Sequence, residues 1–167
     1  VRLFNQILND SAHNPPVALV TWGSQINAGI WNGVRYPSFP ASILDVAIGT
    51  NRLGQINSTL VTKGNNIMLG GTNMAAGMTQ GRQVLVNYNP ALPVNRVMIL
   101  LTDGEWNAGS DPVGVANQLA TSNIKCHTIG LLAGQSSQVL SRIAQITGGK
   151  FFMATDQASL DAAFREI

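Results

Sequence analysis

Two residues of this chain place an oxygen-bearing side chain where a folded protein would present it. Asp103 follows Arg96-Val97-Met98-Ile99-Leu100-Leu101-Thr102 and precedes Gly104-Glu105. Thr72 stands in Gly70-Gly71-Thr72-Asn73, just ahead of a stretch with helical spacing. Val97 to Leu101 shows no alternation, which predicts a strand buried on both faces. In open parallel sheets the ligand crevice lies just beyond the carboxyl ends of the strands, so Asp103 sits where a functional acid would. An Asp-Gly pair is also ordinary turn chemistry, and threonine before a helix is an ordinary N-cap.

The other reactive residue types read more plainly. Cys126 lies in Ile124-Lys125-Cys126-His127-Thr128-Ile129-Gly130, a strand-like setting that suits a small packed thiol better than a nucleophile. His13 and His127 are far apart, and neither has a metal-ligand companion at i+2 or i+4; His127 reads as a strand residue with an ordinary hydrogen bond. Gly70-Gly71 lacks the Gly-Lys-Ser/Thr of a phosphate loop and belongs to no dinucleotide fingerprint. No nucleophile–base pair, no Gly-x-Ser-x-Gly elbow and no carboxylate pair with a histidine is found, which argues against an enzyme. Asn9-Asp10-Ser11 and Asn57-Ser58-Thr59 match the glycosylation pattern, which often arises by chance. Trp22, Trp31 and Trp106 are of a type that packs more often than it recognises, and Trp106, in the loop beside Asp103, is the candidate for partner contact.

The elements that must position these residues follow from periodicity. Val1 to Leu8 puts Leu3, Phe4, Ile7 and Leu8 on one helical face. Val17 to Trp22 reads as a strand closed by Gly23-Ser24, and residues 25 to 50 as a hairpin or irregular insertion. Leu53 to Thr62 and Met74 to Val86 read as helices. Asp111-Pro112 opens a helix to about Ser122, an acidic N-cap with proline at the first position. Ile124 to Leu131 is a strand, Ser137 to Thr147 a helix stopped by Gly148-Gly149, Lys150 to Ala154 a strand, and Ser159 to Ile167 a last helix. The alternation predicts an α/β fold, a three-layer α/β/α arrangement with a mostly parallel central sheet. A chain of 167 residues fits one domain, 1–167. With 45% hydrophobic and 11% charged residues it is built to bury a core. The net charge of +2 comes from scattered Lys and Arg, so no stripe for nucleic acid is present, and no apolar run is long enough to span a bilayer. One cysteine excludes an intrachain disulfide.

Taken in order, Gly70-Gly71-Thr72-Asn73, Leu100-Leu101-Thr102-Asp103-Gly104-Glu105, Thr128-Ile129-Gly130 and Ile143-Ala144-Gln145-Ile146-Thr147-Gly148-Gly149 resemble a von Willebrand factor type A domain. The flavour is similar to bacterial envelope proteins such as those of tight-adherence pilus assembly. The resemblance implies a Rossmann-like α/β/α fold and a metal-ion-dependent adhesion site at the top of the sheet. That site combines an Asp-x-Ser-x-Ser motif after the first strand, a threonine in the second loop and an aspartate in the third. Thr72 matches the threonine and Asp103 the aspartate, while Asn73, Glu105 and Trp106 become candidates for the surrounding shell or for partner contact. Mg²⁺ takes hard oxygen ligands in octahedral geometry and keeps several waters. With few protein charges around it, the cation stays electrophilic, and a partner protein's carboxylate completes the sphere. Mn²⁺ or Ca²⁺ are the alternatives to Mg²⁺. The implied function is a metal-ion-dependent protein-binding or adhesion module of a bacterial cell-envelope or extracellular protein, without catalysis. A metal-dependent hydrolase on the same scaffold, or a structural domain whose metal site has decayed, are the other readings.

One departure from the family's pattern stands out. The Asp-x-Ser-x-Ser motif is absent, together with the central strand that should carry it. Asp10-Ser11 is no substitute, since it follows a helix and lacks the second serine. Val1 to Leu8 resembles the end of the helix after the missing strand, so the domain is expected to be incomplete at its N-terminal side, and cation binding to need the missing motif. Val17–Trp22 and Val97–Leu101 flank the absent strand in the family, and are therefore expected not to pair with each other.

Overall fold

Eight residues, Ile124–Leu131, form the best-buried strand of the chain, with Cys126 to Gly130 all shielded from solvent. A run of this kind needs neighbours on both edges and cover on both faces, and it has them. The computed structural model describes residues 15–64, 70–103, 105–131 and 137–167. The helix expected over Val1–Leu8, with His13 and the Asn9 pattern, lies outside the described residues.

In chain order the elements are β1 (Val17–Trp22), β2 (Gly29–Trp31), β3 (Val34–Tyr36), β4 (Ser42–Gly49), α1 (Leu53–Gly64), α2 (Met74–Asn87), β5 (Arg96–Thr102), α3 (Pro112–Thr121), β6 (Ile124–Leu131), α4 (Ser137–Thr147), β7 (Phe151–Ala154) and α5 (Gln157–Glu166). β6 pairs in parallel with β5 on one side, from Arg96↔Ile124 to Thr102↔Gly130, and with β7 on the other. Side chains alternate across this ladder as strand geometry requires. Leu100, Ile124 and Cys126 join Met74 and Met78 of α2, Leu119 of α3 and Leu140 of α4 in one apolar cluster. Ile99, Leu101 and Ile129 join Ala163 and Phe164 of α5 in a second. Helices thus cover both faces, the α/β/α layering expected.

Local signals explain the helix ends. Asp111 Oδ1 accepts from Val113 N at 2.9 Å with Pro112 at the start of α3, as its sequence predicts. α4 stops at Gly148-Gly149. α5 begins earlier than expected, because Asp156 and Ser159 form a capping box ahead of the apolar positions.

The N-terminal part holds a separate ladder. β1 pairs antiparallel with β4, with irregular register around Leu19, and β2 pairs antiparallel with β3 in a small hairpin. The hairpin agrees with the reading of residues 25 to 50, but β4 was not anticipated. Asp45 interrupts its apolar run, and the structure shows why an acid sits there: it accepts from Thr21 Oγ1 at 2.6 Å and pairs with Lys63 of α1 at 2.8 Å.

β1 and β5 do not pair. Among the described residues β1 is bonded only to β4 and β5 only to β6, as expected for strands that flank a third. Among the described residues β5 is an edge strand of its ladder, and Val97 is 40% exposed. What joins the two ladders is α2. Gly77 lies so close over the Trp22 ring that a Cβ there would collide, and a Cβ on Gly81 would stand 2.8 Å from Met98 Cε. One helix therefore rests on β1 and on β5 together. Trp22 faces α2, while Thr21 faces the Lys63 ammonium of α1, so consecutive residues of β1 serve the two helical layers.

Candidate metal-ion site at the carboxyl edge

Three loops leave the carboxyl side of the two ladders and meet: Gly23-Ser24 after β1, Gly70 to Asn73 before α2, and the stretch from Asp103 after β5. Ser24 N donates to Gly71 O at 2.8 Å, and Gly71 N donates to Ser24 Oγ at 2.6 Å. Thr72 N donates to Asn107 Oδ1 at 2.7 Å, while Asn107 N and Ala108 N both donate to Thr72 O at 3.3 Å. The loop of Thr72 and the loop of Asp103 are thereby hydrogen-bonded to each other. Gly70, at φ +114°, has the left-handed backbone that admits glycine, and Ser24 Oγ occupies the space a Cβ would need. The glycine pair serves a turn against Ser24, in agreement with its failure as a phosphate loop.

Each sequence candidate now has a place. Asp103 is exposed directly beyond Thr102, the buried last residue of β5. Thr72 is half-buried, and it is not the N-cap of α2. Asn73 takes that role, its Oδ1 accepting from Ala76 N at 3.1 Å, which leaves the Thr72 hydroxyl out of the cap. Glu105 is exposed. Trp106 donates its indole N–H to Ala108 O at 2.8 Å, so its polar edge is spent within its own loop while the ring stays 37% exposed. Asn107 and Ser24 went unnoticed in the sequence, where each is merely a loop-forming type; only the fold brings them to the Thr72 loop.

The donor set suits a hard cation: a hydroxyl and a carboxylate, both oxygen. It is also small. Among the described residues no group of three or more His, Cys, Asp or Glu could hold a metal. Neither reactive-looking side chain of β6 contributes. Burial pushes the Cys126 thiol up to about 12, which keeps it protonated and inert. His127 is buried, with Nδ1 accepting from Lys150 N at 3.2 Å, and burial followed by the Lys125 and Lys150 charges lowers its pKa. A groove of about 560 Å³ runs between α2 and α3, lined by Asn73, Ala76, Gln80, Asp111, Val115 and Gln118 among others; Thr72 and Asp103 do not line it.

Comparison with known proteins bears on the fold. The chain is 36% identical over 73 residues to YwmC of Bacillus subtilis, covering 42% of this chain and 32% of that protein, so it spans about a third of that relative's length. An aerotolerance-related membrane protein of Bacteroides fragilis superposes with a TM-score of 0.66 at 16% identity, covering 99% of this chain and 84% of that one. Proximal thread matrix protein 1 of the mussel byssus, solved with a zinc-occupied MIDAS motif, superposes with a TM-score of 0.67 at 13% identity, over 99% of this chain and 40% of that one. No described helix is long and apolar enough to cross a membrane. Residues 50–166, well over half of the chain, match the von Willebrand factor type A domain, and the chain belongs to that family.

Proposed function

We propose that this domain is a metal-ion-dependent protein-binding module of a bacterial envelope or extracellular protein, and not an enzyme. Thr72 and Asp103 would hold a divalent cation, Mg²⁺ before Mn²⁺ or Ca²⁺, and a partner protein would offer it a carboxylate. The observation that carries the reading is the hydrogen-bonded meeting of the Thr72 and Asp103 loops, at strands β1 and β5 that each keep one edge unpaired among the described residues. The zinc-occupied MIDAS of the mussel protein supports it as a property of the fold.

The remaining ligands belong to a strand seated between β1 and β5. Strand edges such as those of β1 and β5, without a ladder partner among the described residues, are costly to leave bare, and α2 packs on both strands. We take that strand to come from the same polypeptide and to bring the Asp and two Ser of the motif. When bound, the cation supplies an electrophilic coordination position. The chain's own residues orient it and shape the approach. Trp106 offers an exposed ring beside Asp103, and the β2–β3 hairpin, with Ile30 at 66% and Val34 at 52% exposed, follows directly from Ser24. Asn73 stays with the helix cap, and the exposed Glu105 would be available to meet a partner.

The deciding experiment is Asp103→Ala in the full polypeptide. Mg²⁺-dependent partner binding should vanish while unfolding stays cooperative. Binding that persists in this variant, or that ignores chelator in the wild type, contradicts the reading. A chain with turnover on ester or phosphoester substrates that disappears with Asp103 would instead favour a hydrolase.

A further inference from the structure

The backbone of the Thr72 loop is held to an unusual degree by two other loops. The N–H and C=O of Gly71 are both taken by Ser24, at 2.6 and 2.8 Å. The N–H of Thr72 goes to the Asn107 carboxamide at 2.7 Å, and its C=O accepts from the amides of Asn107 and Ala108, each at 3.3 Å. Asn107 follows Asp103 by only a few residues on the same loop, and the indole N–H of Trp106 closes that loop on Ala108 O at 2.8 Å. The carboxylate loop and the hydroxyl loop are therefore one hydrogen-bonded unit, with Ser24 anchoring it to the end of β1.

We propose that Asn107 is the positioning residue of the cation site, coupling the Thr72 loop to the Asp103 loop, with Ser24 as a second and weaker anchor. The proposal rests on the metal reading given above. Its physical basis is the cost of order. Fixing a residue's backbone costs conformational entropy, and Mg²⁺ accepts little deviation from octahedral geometry. A loop already fixed by Asn107 is ordered on folding, so that cost does not fall on ion binding. Asn107 does this with a neutral side chain that needs no contact with the ion. Loss of such an outer partner typically weakens a metal site by about 10–100-fold.

The test uses the full polypeptide and two readouts. In metal-free protein, amide hydrogen exchange at Thr72, followed by NMR, should be slow in the wild type and at least about tenfold faster in Asn107→Ala, with the β6 amides unchanged. Asn107→Asp keeps the acceptor oxygen and should keep the protection. In Mg²⁺ titrations by calorimetry, Asn107→Ala should bind at least about tenfold more weakly than wild type, and Ser24→Ala should lie between the two. Unchanged Thr72 exchange in Asn107→Ala overturns the coupling. Faster exchange with unaltered Mg²⁺ affinity overturns the positioning role, leaving a merely structural bond. A wild type that binds no Mg²⁺ fails the metal reading itself, a result distinct from either, and it removes the positioning role along with it. Should Asn107→Ala not fold, Ser24→Ala with the same two readouts decides the outcome.

Discussion

The two ladders of this domain are stabilised by different physics. Around β6, apolar residues from α2, α3, α4 and α5 fill both faces, and Leu119, Ile129, Leu140 and Ile143 are sealed from solvent. Around β1 and β4, the described residues 15–64 contain only Val46 and Ile56 as fully buried side chains. Beside the buried Ile56, a polar tether ties α1 to that ladder: Lys63, Asp45 and Thr21 bond to one another, the Asp45 side chain 8% and the Lys63 side chain 28% exposed. The contrast shows where a strand is wanted. β6 has a partner on each side and cover on both faces, whereas among the described residues β1 is paired on one side alone, its ladder has little core of its own, and it leans on α2 through Trp22.

The sharpest way to break the contrast is to empty the apolar side. Leu140 is fully buried, and its carbonyl also accepts from Thr128 Oγ1 at 2.9 Å. Leu140→Ala should cost about 3 kcal/mol, from lost transfer energy plus a residual cavity. Urea unfolding, read by circular dichroism, measures it; a cost under about 1 kcal/mol would mean that the core is looser than its packing indicates.

On the polar side, Asp45→Ala strips the partner from Lys63 and the acceptor from Thr21. Breaking a buried pair costs about 3–5 kcal/mol, but the Lys63 head keeps part of its hydration, so about 2 kcal/mol is expected. Asp45→Asn, which retains an acceptor for the Thr21 hydroxyl, should lose less. If both substitutions cost as little as a surface pair, within about 0.5 kcal/mol, the β1 ladder is held by something other than this tether.

Much of this layout was legible in the residue order because local chemistry and tertiary demand coincide there. Asp111-Pro112 caps α3, Gly148-Gly149 stops α4, and the run Ile124–Leu131 is buried as its composition requires. β4 was not legible, because Asp45 looks like a break in an apolar run until Lys63 arrives from α1. The site divides in the same way. Thr72 and Asp103 stood out by type and position, and their loops do meet. The N-cap fell to Asn73 instead of Thr72, a choice between neighbours that only backbone geometry decides. Asn107 carries no periodic or motif signal, since its partner lies 35 residues away.

A smaller and reversible effect comes from β6 itself. His127 is buried and neutral, its Nδ1 accepting from Lys150 N, and its pKa in the folded protein is lowered from 6.5 chiefly by burial, then by Lys125 and Lys150. A depressed folded pKa means that the unfolded chain binds the proton first on acidification. The contribution of His127 is therefore complete above pH 6.5, declines as pH falls below it, and is exhausted once pH passes the lower folded value. Unfolding free energies between pH 7.5 and 5 should fall accordingly, and His127→Gln should flatten that slope. An equal slope in the variant would assign the acid sensitivity to other groups.

The smallest expected effect bears most directly on the open edges. Val97 is 40% exposed, on a strand whose outer edge is unpaired among the described residues. Were that edge truly a surface, Val97→Thr would change stability by no more than about 0.5 kcal/mol. With a strand seated between β5 and β1, the added hydroxyl would enter a covered position and lack a full set of partners, a cost of about 1 kcal/mol. The full polypeptide should give the larger value. Amide exchange separates the two cases again: β5 amides that point away from β6 should be nearly as protected as those that point toward it. Slow exchange on both edges with a measurable cost at Val97 places a strand beside β5. Fast exchange on the outer edge with a neutral Val97→Thr leaves the two ladders joined by α2 alone, and the cation site then lacks the ligands that strand was to bring.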